Sequence, residues 1–376
     1  MTVYAKLEVG KRRPRSKVAG RGCPPREGEV AVGKVRDNVA GETAVNWLVT
    51  GGCGFIGVAL VRSLLEEGGH AVRVVDNLEV GTREDLAAVC EFVEASPADV
   101  GPMPAASGDS VELVVGDILD EELALWAAEG TDVIVHLAAN TGVGPSVEDP
   151  RADCFANVVG TLNYLEAARH GGVSRFVFAS SGATVGEVEP PIHEEIAPHP
   201  VSPYGASKLS GEAYCSVYFN TFGVETVALR FSNVYGVLSS HKNSVIAKFI
   251  RRAMGGEVLE IYGDGTQTRD FIYVEDLIRA IVSAATAEGV GGEVFQIATN
   301  AETSVREMVD ELLPVLAEAG IGNVEVRQAA PRLGDVMRNY SDTSKAARML
   351  GWRSEVDLKE GLRRTVDWFM DQSRAG

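Results

Sequence analysis

The stretch that decides the fold is TGGCGFIG, Thr50 to Gly57. It follows the apolar run AVNWLV and opens a segment whose apolar residues recur at helical spacing, predicting a helix over Phe55–Glu67. Gly51, Gly54 and Gly57 stand three apart, G-x-x-G-x-x-G. Glycine lets a backbone turn tightly and approach a pyrophosphate, while the N–H groups that open a helix, here those of Phe55, Ile56 and Gly57, face negative charge. In a chain with 41 glycines the pattern alone carries little weight. Its setting carries more: a strand before, a helix after, and the next apolar run, HAVRVVD, closing on Asp76. A carboxylate there, with Asn77 beside it, accepts hydrogen bonds from adenosine ribose hydroxyls and repels a 2′-phosphate. The expected cofactor is NAD rather than NADP.

The same texture continues outward from this unit. VELVVGD (111–117), DVIVHLAA (132–139), SRFVFASS (174–181) and VETVALRF (224–231) alternate with helical segments such as NVVGTLNYLEAARHGG. Short apolar runs separated by helices predict βαβ units and a doubly wound parallel sheet of the Rossmann type. After Tyr235 the pattern loosens, as expected of a smaller C-terminal substrate-binding lobe. The expected organisation is therefore a basic leader over 1–43 and a NAD-binding domain over 44–232, with a return segment near 269–298. A nucleotide-sugar lobe would take 233–268 and 299–376. Residues 90–110 read as a surface excursion with little core. Asp117 and Ile118 follow a strand and are expected to flank the adenine. Leu137, Ala138 and Ala139 are expected to run beside the cofactor as backbone. His136, at the same strand end, reads as a packed structural residue.

Composition bounds the remaining classes. The 376 residues carry 35 Lys and Arg against 53 Asp and Glu, a net charge of −18. Such a chain is not expected to bind nucleic acid or an anionic membrane surface. No apolar run reaches the roughly 18 residues of a membrane span. The five cysteines form no CxxC pair, so neither a zinc site nor a disulfide framework is indicated. HEEIAPH, with His193 and His199, fits no common zinc spacing and reads as a loop. The expectation is a reduced, cytoplasmic protein with no metal. Ten Lys and Arg in residues 1–43, with few large apolar residues, predict a segment outside the core.

The second sharp signal is SPYGASK, which puts Tyr204 and Lys208 four apart, on one face of a helix. Populating a phenolate at pH 7 needs about three units of depression, or about 4 kcal/mol. A neighbouring ammonium and a positive nicotinamide ring supply much of that. The phenolate can then take a proton from a hydroxyl while hydride leaves the same carbon.

TGGCGFIG, HLAA, SSGATVG, YGASK, LRFSNVYG and YGDGTQTRDFIYVEDL occur in that order. The set resembles the extended short-chain dehydrogenase/reductases, in particular the NAD-dependent nucleotide-sugar 4-epimerases acting on UDP-glucose or UDP-glucuronate. The resemblance covers about residues 45–370. It implies that Tyr204 is the catalytic base and Lys208 its partner, with a hydroxyl from the preceding strand completing the set. An ungapped match of FASSGATVG to F-S-S-S-A-T-V-Y-G makes that hydroxyl Ser181, with Val185 where the family has Tyr. A one-residue gap makes it Thr184. It further implies that Asn233, Arg269, Arg332 and Asp335 bind the substrate's diphosphate, sugar and ribose. SSHKNSV, Ser239 to Val245, is expected to loop across the sugar, with Lys242 or His241 placed to meet a carboxylate. Two paired helices, about Asp153–His170 and Tyr204–Phe222, would make a homodimer.

The related 4,6-dehydratases resemble T-D-E-V-Y-G, whose two acids serve water elimination; Gly182 and Ala183 stand there instead. The expected activity is epimerisation at C4 of a UDP-sugar (glucose, glucuronate or an N-acetylhexosamine) through a transient 4-keto sugar. A UDP-glucuronate decarboxylase is the enzymatic alternative, although Ala183 cannot replace that group's glutamate. An NAD-binding regulatory protein is the non-enzymatic one.

Overall fold

In the computed structural model, residues 44–240, 244–330 and 336–375 are described. The apolar runs become strands in the order β1 (Asn46–Thr50), β2 (Ala71–Asp76), β3 (Val93–Ala95), β4 (Ser110–Val115), β5 (Val133–His136), β6 (Arg175–Ser181), β7 (Thr226–Phe231), β8 (Asn233–Tyr235), β9 (Leu259–Tyr262), β10 (Thr268–Arg269), β11 (Phe271–Tyr273) and β12 (Glu293–Ile297). Eight of these make one sheet in the order β12-β7-β6-β5-β1-β2-β4-β3. Every pairing in it is parallel. β1 alternates its faces: Trp47 and Val49 join one hydrophobic cluster and Leu48 joins the other. Helices cover both faces, which is why these strands read as unbroken apolar runs.

Strand order reverses at β1, which lies between β5 and β2. In open α/β sheets, ligands bind outside the carboxyl ends of the strands at such a switch point. The glycine loop, Asp76 and the residues after His136 all sit at those ends.

Past β7 the strands are short and paired separately, β8 with β11, β10 with Thr303–Ser304, and β9 with Val326–Ala329. β8 and β10 carry Asn233 and Arg269. β12 returns to the large sheet beside β7.

The 90–110 segment is more than an excursion. It contributes β3 to the sheet edge, and its Met103 is buried. The Asn46 amide anchors it by donating to the Pro104 carbonyl, and the Arg73 guanidinium by donating to that of Gly101. Backbone anchoring of this kind leaves no apolar periodicity to read. The loop holding His193 and His199 contains no regular element apart from one bridge, Ile192 to Ser341. Among the described residues, no helix is long and apolar enough to cross a membrane. The leader, His241, Lys242, Arg332 and Asp335 lie outside the described residues.

Candidate active site

The helix opened by the glycine loop spans Phe55–Glu67, with Gly54 as its N-cap and no side-chain cap. Its first N–H groups are therefore left for another acceptor. Gly51 has φ +69°, and a Cβ there would stand 2.8 Å from the Ala138 nitrogen. A Cβ on Gly57 would collide with the Gly51 carbonyl and with Gly52. Both positions hold the loop against β5 and against its own helix, and only glycine permits that. The cradle fits a dinucleotide pyrophosphate.

Asp76 ends β2, nearly buried. One carboxylate oxygen accepts the Cys53 N–H at 2.9 Å and the other the Leu78 N–H at 2.8 Å. Burial raises its pKa, and the two backbone bonds pull it back. The residue thus braces the glycine loop from below. A carboxylate has about four acceptor positions, so Asp76 keeps capacity for a ribose. Burial pushes the Cys53 thiol up to about 12.

Gly51, Gly54, Phe55, Ile56, Gly57, Asp76 and Asn77 line one cleft of about 2260 Å³, and Asp117, Ile118 and Leu137 to Ala139 line it too. The Asp117 carboxylate accepts the Leu119 N–H at 2.9 Å, turning the chain after β4. His136 is fully buried, between Thr50 Oγ1 at 2.9 Å and Thr161 Oγ1 at 3.3 Å. Burial, with the Lys208 charge, lowers its pKa to about 3. It is a neutral spacer.

The reactive end is built where β6 meets the helix Pro203–Phe222. That helix starts cleanly because Ser202 accepts the Gly205 N–H at 3.1 Å and proline fills its first turn. Tyr204 and Lys208 sit one turn apart on it, and both line the cleft with Ser181. Burial pushes the Tyr204 phenol up, the neighbouring Ser181 side chain pulls it down, and Asp153 adds to the rise. Lys208 is buried and its ammonium donates to the Ala179 carbonyl at 2.8 Å. Burial lowers its pKa to about 8, against the upward pull of Asp153 and Cys215. That bond to β6 leaves two N–H donors on the ammonium. Thr184 is buried, donates to the Ser181 carbonyl at 2.9 Å, and does not line the cleft.

Sequence reasoning missed the groups that hold this end together. Glu212 continues the spacing of Tyr204 and Lys208 by one more turn. Its carboxylate accepts from Ser180 Oγ at 2.5 Å and from Arg230 at 2.8 and 2.7 Å. All three are buried, so the clamp ties the Tyr204 helix to β6 and β7. The i+8 position from Tyr204 was the available signal. Asn157 was also missed, since it lies on a π-helical turn, Phe155–Val159, that runs between Pro150–Cys154 and Gly160–Gly171. Its amide reaches Asp153, Ser207 and the Asn140 carbonyl, each at 3.0 Å.

Asn233 and Arg269 line the same cleft. Arg269 donates to the carbonyls of Thr268 at 2.6 Å and Val336 at 2.7 Å. Beside it, buried Asp270 accepts from Thr299 N and Oγ1 at 2.7 and 2.6 Å.

Glycine cradle, strand-end carboxylate and Tyr–Ser–Lys cluster in one cleft define a class, the dinucleotide-binding α/β proteins with a phenol at the reactive end. The sequence matches the NAD dependent epimerase/dehydratase family over residues 47–298, and the chain belongs to that family. Its cofactor is NAD. A UDP-glucose 4-epimerase of Mycolicibacterium smegmatis is 38% identical, over 87% of this chain and 99% of the relative. A dTDP-glucose 4,6-dehydratase of Streptomyces antibioticus is 33% identical over 87% and 93%. The crystal structure of Thermotoga maritima UDP-glucose 4-epimerase with UDP-glucose superposes with TM-score 0.76 at 35% identity, covering 87% of this chain and 99% of that one.

Proposed function

We propose that the protein is an NAD-dependent UDP-sugar 4-epimerase. The observation that carries this is the meeting of Ser181, Tyr204 and buried Lys208 in the same cleft as the glycine cradle. Similarity alone leaves dehydration open, because epimerases and dehydratases both stand among the relatives. The residues after Ser181 favour epimerisation. Gly182 and Ala183 form a short turn whose Ala183 N–H donates to Ser181 Oγ at 3.2 Å, and neither offers a proton for water elimination.

NAD, when bound, supplies a hydride acceptor that later returns the hydride. Tyr204 Oη takes the C4 hydroxyl proton and later gives it back, held in place by Ser181. Lys208, on the Ala179 carbonyl, holds its remaining donors and its charge beside the phenol. Ser181 is the hydroxyl of choice over Thr184, since Thr184 turns its Oγ1 onto the Ser181 backbone. Asn233 and Arg269 take the substrate's phosphate and sugar side, in a lobe comprising 233–268 and 299–376. Arg332 and Asp335 are proposed for the same end on sequence grounds.

A homodimer belongs to the same proposal. Phe155, Val159, Tyr214 and Val217 are exposed by 36–49% on the two helical segments that would pair, Asp153–His170 and Tyr204–Phe222. Incubation with a panel of UDP-sugars, followed by NMR, tests the reading. Appearance of the C4 epimer of one of them is expected, and 4-keto-6-deoxy product or carbon dioxide would overturn it.

A further inference from the structure

One buried acid near the reactive end has no part in the chemistry above. Asp153 lies on Pro150–Cys154, a segment packed against the Tyr204 helix, and is 1% exposed. One carboxylate oxygen accepts the Asn157 amide at 3.0 Å, and the other is buried without a hydrogen-bond partner. Carboxylates are rarely left so, because an uncompensated buried charge is costly. The same Asn157 amide donates to Ser207 Oγ, which donates to the Tyr204 carbonyl at 3.0 Å. The acid is therefore fixed to the first turn of the helix that carries the phenol and the ammonium.

Resting on the epimerase reading, we propose that Asp153 is a positioning residue whose anchored carboxylate sets the charge balance of the Tyr204–Lys208 pair. Around Lys208 stand Asp153, Cys215 from its own helix and the neutral His136 from β5. Around Tyr204 stand Ser181 from β6 and again Asp153. Among the described residues, Asp153 is the carboxylate acting on both groups. Its charge favours the ammonium and disfavours the phenolate, so it opposes part of the desolvation that lowers the Lys208 pKa. The pair is thereby held as phenol and ammonium until a cation in the cleft releases the phenolate.

The sign of the test follows. Asp153→Asn keeps the shape and an oxygen for Asn157 but removes the charge. Both groups then lose protons at lower pH. In NAD-loaded protein, the Tyr204 phenolate is followed by its ultraviolet difference absorbance, with Tyr204→Phe as the blank. The Asp153→Asn midpoint is expected to fall by about half a unit to one unit. Both limbs of the kcat–pH profile should move to lower pH with it, and Asp153→Glu should move them back. Asp153→Ala carries the same charge loss should the Asn variant fail to fold. A lower kcat with phenolate midpoint and limbs unmoved would overturn the proposal and leave Asp153 a packing residue. The absorbance titration needs no sugar, so it reads this inference even if no UDP-sugar is epimerised.

Discussion

Asp76 shows how one side chain serves structure and selectivity together. It holds the Cys53 and Leu78 N–H groups and lines the cleft, where it is proposed to accept from a ribose. Asp76→Ala should therefore loosen the loop as well as remove the charge. NAD affinity is expected to fall and the gap between NAD and NADP to narrow, measured by calorimetry on both cofactors. Equal affinities in the parent protein would contradict the assignment. Tyr204→Phe should be cleaner, losing about 10²–10⁴-fold in kcat with NAD binding nearly intact. At this scale the sequence was most legible where chemistry forces a residue type: the glycines, Asp76, Tyr204 and Lys208. It was least legible for partners. That the ammonium bonds the Ala179 carbonyl, and that Asp153 lies behind the pair, depends on how two helices and a strand pack.

Among elements, the join of β6, β7 and the Tyr204 helix matters most. Ser181 on one and Tyr204 on another must meet, and the Ser180–Glu212–Arg230 clamp fixes their register. Removing only the acid leaves a buried guanidinium unpaired. Glu212→Ala is expected to destabilise by about 3–5 kcal/mol, seen as a large drop in Tm. Glu212→Met combined with Arg230→Met removes both charges and should recover most of that loss. If the double variant is as unstable as the single one, the clamp's charge pairing is not what its removal costs. The strands and the Phe55–Glu67 helix were readable because each buries a regular apolar face. The π-turn at Phe155–Val159 was not, since no apolar periodicity marks its extra residue per turn, although Asn157 on it reaches three partners. β3 escaped for a similar reason: two of its three residues are exposed.

For the whole molecule, charge and assembly follow from surfaces. The apolar residues left exposed on the segments around Phe155 and Val217 are expected to be covered by a second copy. Light scattering at micromolar concentration should give a dimer, and Val217→Glu should shift it toward monomer. A monomeric parent would contradict the proposed pairing.

The reaction itself is a property of the assembled cleft, and one labelling experiment reads it. A UDP-sugar substrate carrying deuterium at C4 is incubated in ordinary water with the purified protein and NAD, and the products are followed by NMR. If Tyr204 moves only the hydroxyl proton and the same hydride returns, the epimer keeps its deuterium at C4. With Gly182 and Ala183 in place of acids, no solvent hydrogen enters C5 and no NADH accumulates. Loss of the C4 label, solvent hydrogen at C5, or release of carbon dioxide from UDP-glucuronate would contradict the epimerase assignment.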